Sequence, residues 1–167
     1  MQRDPARVHG IFADMKKHIP IEDDASAPAC DVLIVEDDPT QAEEFAAYLR
    51  RLGLSVQAIY CGSEAIHRVG ELRPRIALLG YNLPDLDGVT VAERFRRLSP
   101  ATALLVMSGR IDWLSDLTLR KFGIYQFLNK PVEMRSLGKS IRQMARIATR
   151  TGLPALTPPR GLALLLS

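Results

Sequence analysis

Three consecutive acids, Glu36-Asp37-Asp38, close a short apolar run from Val32 to Val35. Adjacent carboxylates repel one another unless a cation or a lysine stands beside them, and clustered oxygens suit a hard divalent ion such as Mg²⁺. Helix capping accounts for part of the same cluster, because Asp38 followed by Pro39 is a strong helix start. The two readings are compatible, with Asp38 capping and Glu36 and Asp37 facing a pocket. Three more apolar runs end in residues of interest: Ile76–Leu79 in Gly80, Ala103–Met107 in Ser108, and Ile124–Leu128 in Asn129-Lys130-Pro131. In an open α/β sheet, strand ends of this kind are where chemistry is usually placed. Gly80, however, offers no side chain for chemistry. It is followed by Leu83-Pro84-Asp85-Leu86-Asp87-Gly88, a loop rich in turn formers.

The elements that must position these residues alternate along the chain. Val32–Val35, Leu54–Tyr60, Ile76–Leu79, Ala103–Met107 and Ile124–Leu128 read as strands, the first and third as fully buried parallel ones. Helices are expected from Pro39 to about Leu52, from Glu64 to Leu72 with Ser63 as cap, and from Val89 to Leu98. Two more are expected over Ile111–Phe122 and Glu133–Arg150. The first helix turns Phe45, Leu49 and Leu52 inward and stops at Gly53; the third buries Val91, Ala92 and Phe95 and exposes Glu93, Arg94, Arg96 and Arg97. The fifth buries Leu137, Ile141, Ala145 and Ala148. Five strands alternating with five helices predict a flavodoxin-like (βα)₅ doubly wound parallel sheet in 2-1-3-4-5 order, over residues 30–150.

Residues 1–29 read as an extension in which Val8, Ile11, Phe12, Met15 and Ile19 recur at helical spacing. That helix either packs on its own domain or serves dimerisation or partner docking. Residues 151–167 hold Pro154, Pro158 and Pro159 and read as a short extended or disordered tail.

The 167 residues are 47% hydrophobic and 25% charged, with a formal net charge of +3, which permits an acidic partner without demanding nucleic acid. No export signal or membrane-spanning run stands out, so a cytoplasmic location without membrane contact is expected. Cys30 precedes the first strand and Cys61 follows the second, about 15 Å apart at about 3.3 Å per residue. A disulfide tolerates about 7 Å between Cα atoms, so two free thiols are expected.

Taken together, Glu36-Asp37, the 80–88 loop, Ser108 and Lys130-Pro131 resemble the receiver domain of two-component response regulators over about residues 31–150. The resemblance implies that Glu36 and Asp37 hold Mg²⁺ and that the acceptor of phosphoryl from a histidine kinase stands at position 80. It also implies that Ser108 contacts the phosphoryl group, that Lys130 pairs with it, and that Phe127 is a switch aromatic. Gly80 departs from this pattern: phosphoryl transfer needs a carboxylate nucleophile beside the metal, and glycine supplies none. Mg²⁺ is then not required, and its binding is weakened by the loss of a ligand. Asp85 and Asp87 are poor substitutes, since the family's counterpart of their loop turns away from the pocket.

The expected function is therefore that of a stand-alone atypical receiver in phosphorelay signalling, a protein-interaction module working without phosphorylation and not an enzyme. Lys130 is expected to form a lasting salt bridge with the Glu36-Asp37 pair. The family's fourth helix, fifth strand and fifth helix commonly form the surface for a kinase or downstream regulator. Here the fifth helix carries Arg135, Lys139, Arg142, Arg146 and Arg150 as a basic stripe, which is either a solvated face or fits an acidic partner. Phosphorylation at an unusual residue is the alternative, and nucleic-acid binding is a weaker one because no helix-turn-helix unit follows. A homodimer through the N-terminal helix is a further reading.

Overall fold

The computed structural model describes residues 30–109 and 121–151, with side chains up to residue 144. In chain order the elements are β1 (Val32–Val35), α1 (Pro39–Arg51), β2 (Val56–Ile59), α2 (Gly62–Leu72), β3 (Ile76–Gly80), α3 (Gly88–Leu98), β4 (Ala103–Ser108), β5 (Ile124–Asn129) and α4 (Met134–Thr151). The helix expected over 111–122 lies outside the described residues except for its last two positions, and so do the readings of residues 1–29 and 152–167. The label α4 thus belongs to the helix that the sequence places fifth.

The five strands pair in parallel in the order β2-β1-β3-β4-β5, as the pattern of apolar runs predicts. β1, β3 and β4 are buried along their whole length because helices cover both sheet faces. Alternation along each strand sends Val32, Ile34, Leu78, Leu105 and Met107 to one face, under Phe45 and Leu49 of α1 and Leu137 and Ile141 of α4. Leu33, Val35, Ala77, Leu79 and Val106 go to the other face, under Val69 of α2 and Val91 and Phe95 of α3. Phe45 and Phe95 are among the largest fully buried side chains. Truncating either to alanine would cost about 3–5 kcal/mol in lost burial and a residual cavity.

Local signals set most boundaries. Asp38 caps α1 by accepting from the N–H groups of Thr40 and Gln41 at 2.9 and 3.3 Å, and Pro39 occupies the first turn. The helix stops before Gly53, whose φ of 86° is a left-handed conformation that suits glycine. Two expectations are corrected. α2 starts at Gly62, earlier than its sequence suggests, and Ser63 is not its cap, because an acid from another loop takes that role. Arg96 is half-buried instead of exposed: its guanidinium donates to the carbonyls of Pro100 at 2.8 Å and Gly123 at 2.6 Å, and burial lowers its pKa. Cys30 and Cys61 are both free thiols, and burial, chiefly, pushes Cys30 up to about 11.

Candidate functional site

The register of the sheet decides which strand ends meet. Val35 pairs with both Ile59 and Leu79, Gly80 with Met107, and Ser108 with Asn129. Glu36, Gly80, Ser108 and Lys130 therefore come out along one edge, at the C-terminal ends of β1, β3, β4 and β5. Backbone bonds tie this edge together: Glu36 N–H donates to Ile59 O at 3.1 Å, Tyr81 N–H to Met107 O at 2.8 Å, and Lys130 N–H to Ser108 O at 2.9 Å.

Of the three adjacent acids, only Glu36 is buried, with 1% of its surface exposed; Asp37 and Asp38 are exposed. Asp37, though exposed, stays beside Glu36 through a hydrogen bond between the two side chains. Lys130 donates to both oxygens of Glu36, at 2.9 Å to Oε1 and 2.7 Å to Oε2. Burial, first, raises the Glu36 pKa, and a hydrogen bond with Asp37 adds to this; Lys130 works against both. The lysine thus pairs with one acid of the expected two.

Gly80 lies against that pair. A Cβ built on it would stand 3.1 Å from Glu36 Oε2, 3.3 Å from the Val35 carbonyl and 3.4 Å from Leu83 Cδ2. The room that a side chain at position 80 would need is already lined by the glutamate. Ser108 is buried, at 2% exposure, and Phe127 is half-buried against the sheet face that holds Val106 and Ile124.

In the arrangement seen, this edge offers a divalent cation fewer open oxygens than the resemblance implies. Both Glu36 oxygens are engaged by an ammonium group, Asp37 is exposed beside Glu36, and Gly80 brings no oxygen. Among the described residues no group of three or more His, Cys, Asp or Glu is placed to hold a metal ion.

The loop after β3 uses its acids structurally. Asp85 accepts from the N–H groups of Gly62 and Ser63, both at 2.8 Å, and so caps α2 from outside that helix. Its hydrogen bonds with Ser63, first, lower its pKa to about 2. Asp87 caps α3, accepting from Thr90 N–H at 2.8 Å and from the Thr90 hydroxyl at 2.7 Å. Gly88 closes the loop onto its start: its N–H donates to Tyr81 O at 2.7 Å, and a Cβ there would run into the Gly80 carbonyl. The Asp85 cap joins groups more than 20 residues apart, beyond the reach of local sequence rules.

The basic stripe falls on α4. Arg135 and Lys139 are exposed and Arg142 is half-buried, opposite the buried Leu137, Ile141 and Met144. No acid occurs within the sequence of α4, whereas Arg50, Arg68 and Arg97 each face an acid of their own helix. Side chains of Arg146 and Arg150 lie outside the described residues. No helix among the described residues is long and apolar enough to cross a membrane.

A family model described as the response regulator receiver domain matches residues 32–142. The chain is 30% identical over 115 residues to the DNA-binding response regulator MtrA of Mycolicibacterium smegmatis, covering 69% of this chain and 50% of that one. It spans about half or less of the length of the curated relatives it matches first. Among solved structures, a putative response regulator from Chloroflexus aurantiacus is 27% identical with a TM-score of 0.64, over 72% of this chain and 99% of that one. A CheY-like receiver domain protein from Methanospirillum hungatei has a TM-score of 0.66 at 22% identity, over 70% of this chain and 93% of that one, a likeness of fold.

Proposed function

The chain belongs to the response regulator receiver family, and within it we propose that this member works as a phosphorylation-independent protein-interaction module. One observation carries the reading: the strand end where the family's acceptor belongs is Gly80, and the lysine that would meet the phosphoryl group is held by Glu36 at 2.7 Å. Receiver signalling depends on a charge that arrives at this edge and is met by Lys130 and Ser108. Here the negative charge is built in, so Lys130 keeps one partner and Phe127 one setting. Mg²⁺ is not needed for that state. Asp85 and Asp87 are committed to capping and do not serve as acceptors.

The output face in this reading is α4, with β5 beside it. Arg135, Lys139 and Arg142, continued in sequence by Arg146, present positive charge with no acid on the same helix to offset it. The partner is an acidic surface of a kinase or downstream regulator in the cytoplasm.

Intact mass after incubation with acetyl phosphate and Mg²⁺ tests the reading. The native chain is expected to gain no phosphoryl group, and a labelled native chain would sink the proposal. Charge reversal at Arg135 and Lys139 is expected to abolish capture of the partner while leaving the melting temperature unchanged.

A further inference from the structure

We propose that the acidic stretch Glu22-Asp23-Asp24 of this chain, outside the described residues, docks on the basic face of α4 and holds it against other acidic surfaces. This self-docking rests on the reading of α4 as the face for an acidic partner and adds how access to that face is set. The charges are complementary and segregated. Residues 20–29 carry three acids and no base, whereas α4 carries Arg135, Lys139, Arg142, Arg146 and Arg150 and no acid. Arg135 and Lys139 are exposed and Arg142 is half-buried. Among the described residues, none of these three side chains is paired with an acid. Arg68 and Arg75, by the start of β1, already face Glu64 and Asp31.

Topology brings the two charges within reach. β1 begins beside Cys30 at the N-terminal edge of the parallel sheet, and α4 starts beyond the opposite edge, after β5. Its 18 residues extend about 27 Å at about 1.5 Å each. The strands, of four to six residues, extend about 13–20 Å at about 3.3 Å each. The later turns of α4 therefore return to the edge where β1 begins, and Met144 shares the buried cluster of Val32, the first residue of β1. Asp24 precedes Cys30 by six residues, a reach of about 20 Å. So short a tether makes docking intramolecular, at an effective concentration on the order of millimolar. Single exposed ion pairs are weak, so the tether and the number of charges give the contact its strength. An acidic partner then meets an occupied face, and its apparent affinity falls with the share of chains in which the segment is docked.

The test titrates a fluorescein-labelled poly-glutamate peptide into three full-length chains. These are native, the triple variant Glu22→Gln, Asp23→Asn and Asp24→Asn, and the charge-reversed Arg135→Glu with Lys139→Glu. The triple variant is expected to bind about tenfold more tightly than native, equivalent to about 1.4 kcal/mol. That difference should close as salt is raised to about 1 M, where the screening length is about 3 Å. A triple variant that binds no more tightly than native, with the charge-reversed chain weaker than both, would overturn the self-docking while leaving α4 as an acidic-partner face. An affinity that charge reversal leaves unchanged would instead overturn the reading of α4, and the self-docking with it.

A second measurement needs no variant. Carbodiimide joins a carboxylate to an amine in contact with it, and it is applied to a mixture of ordinary and isotope-labelled native chains. Peptide masses are expected to link Lys139 with Glu22, Asp23 or Asp24 of the same chain. Links between chains only would make a second copy the occupant and count against self-docking, as would a Lys139 joined to other acids alone or to none.

Discussion

Both ends of β1 carry a buried carboxylate, and the two are satisfied in different ways. At the start, Asp31 accepts from the N–H and the hydroxyl of Ser55, each at 2.8 Å, with Arg75 at 3.8 Å. Its partners sit at fixed places next to β2 and β3, so the acid belongs to the knitting of the sheet. At the other end, Glu36 depends on the side chain of Lys130, delivered from just beyond β5. A buried acid is therefore not by itself a mark of a site. What distinguishes Glu36 is a partner that could be exchanged and a neighbouring position, Gly80, with no side chain.

The contrast is sharpest when a partner is removed. Lys130→Met leaves Glu36 buried without its counter-ion and is expected to cost about 3 kcal/mol near neutral pH, read by urea unfolding. The sign with pH follows from the raised Glu36 pKa. A carboxyl raised by burial contributes most below its ordinary value of 4.5 and loses that contribution as pH rises through its folded value. Removing the lysine raises it further, so the deficit should vanish in acid below 4.5 and grow towards neutrality. An equal deficit at both ends of that range would mean that Glu36 is not what Lys130 holds.

At the opposite end, Asp31→Ala is expected to cost about 2 kcal/mol by leaving the Ser55 donors unmet. It should leave the behaviour towards acetyl phosphate and Mg²⁺ unchanged. A larger loss than for Lys130→Met would reverse the ranking of the two ends. Asp85→Ala, which uncaps α2, is expected to cost about 1 kcal/mol. Because the Asp85 pKa is lowered to about 2, its contribution is present above the ordinary 3.8 and fades as pH falls towards 2, which melts across that range would show. The smallest effect is expected for Arg97→Ala, whose pairing with Glu93 is exposed and worth under about 0.5 kcal/mol.

The sheet was legible because its strands are short apolar runs closed by turn residues, and parallel order follows from alternation with helices. The pair Asp38-Pro39 announces a helix start by purely local chemistry. The site was legible in part. Glu36, Gly80, Ser108 and Lys130 could be placed at strand ends, but three adjacent acids do not reveal which one is buried. That choice depends on where β1 stops and on what stands 94 residues later. Asp85 escaped for a similar reason, since Ser63 beside the helix start is the locally obvious cap. Arg96 was misplaced because its partners are carbonyls, which leave no trace in side-chain patterning.

The span of that 94-residue bridge also bears on how the chain assembles. Closing so long a loop costs conformational entropy, and a fold built from distant parallel pairings gathers its rewards late. Glu36 can remain hydrated while β1 finds β3, but it loses its water as the edge closes, and only the last strand brings the cation that replaces it. An assembly intermediate lacking β5 would hold a desolvated acid with no counter-charge. The first strand and the last are thereby made to depend on each other, which penalises half-formed sheets and favours folding in a single cooperative step.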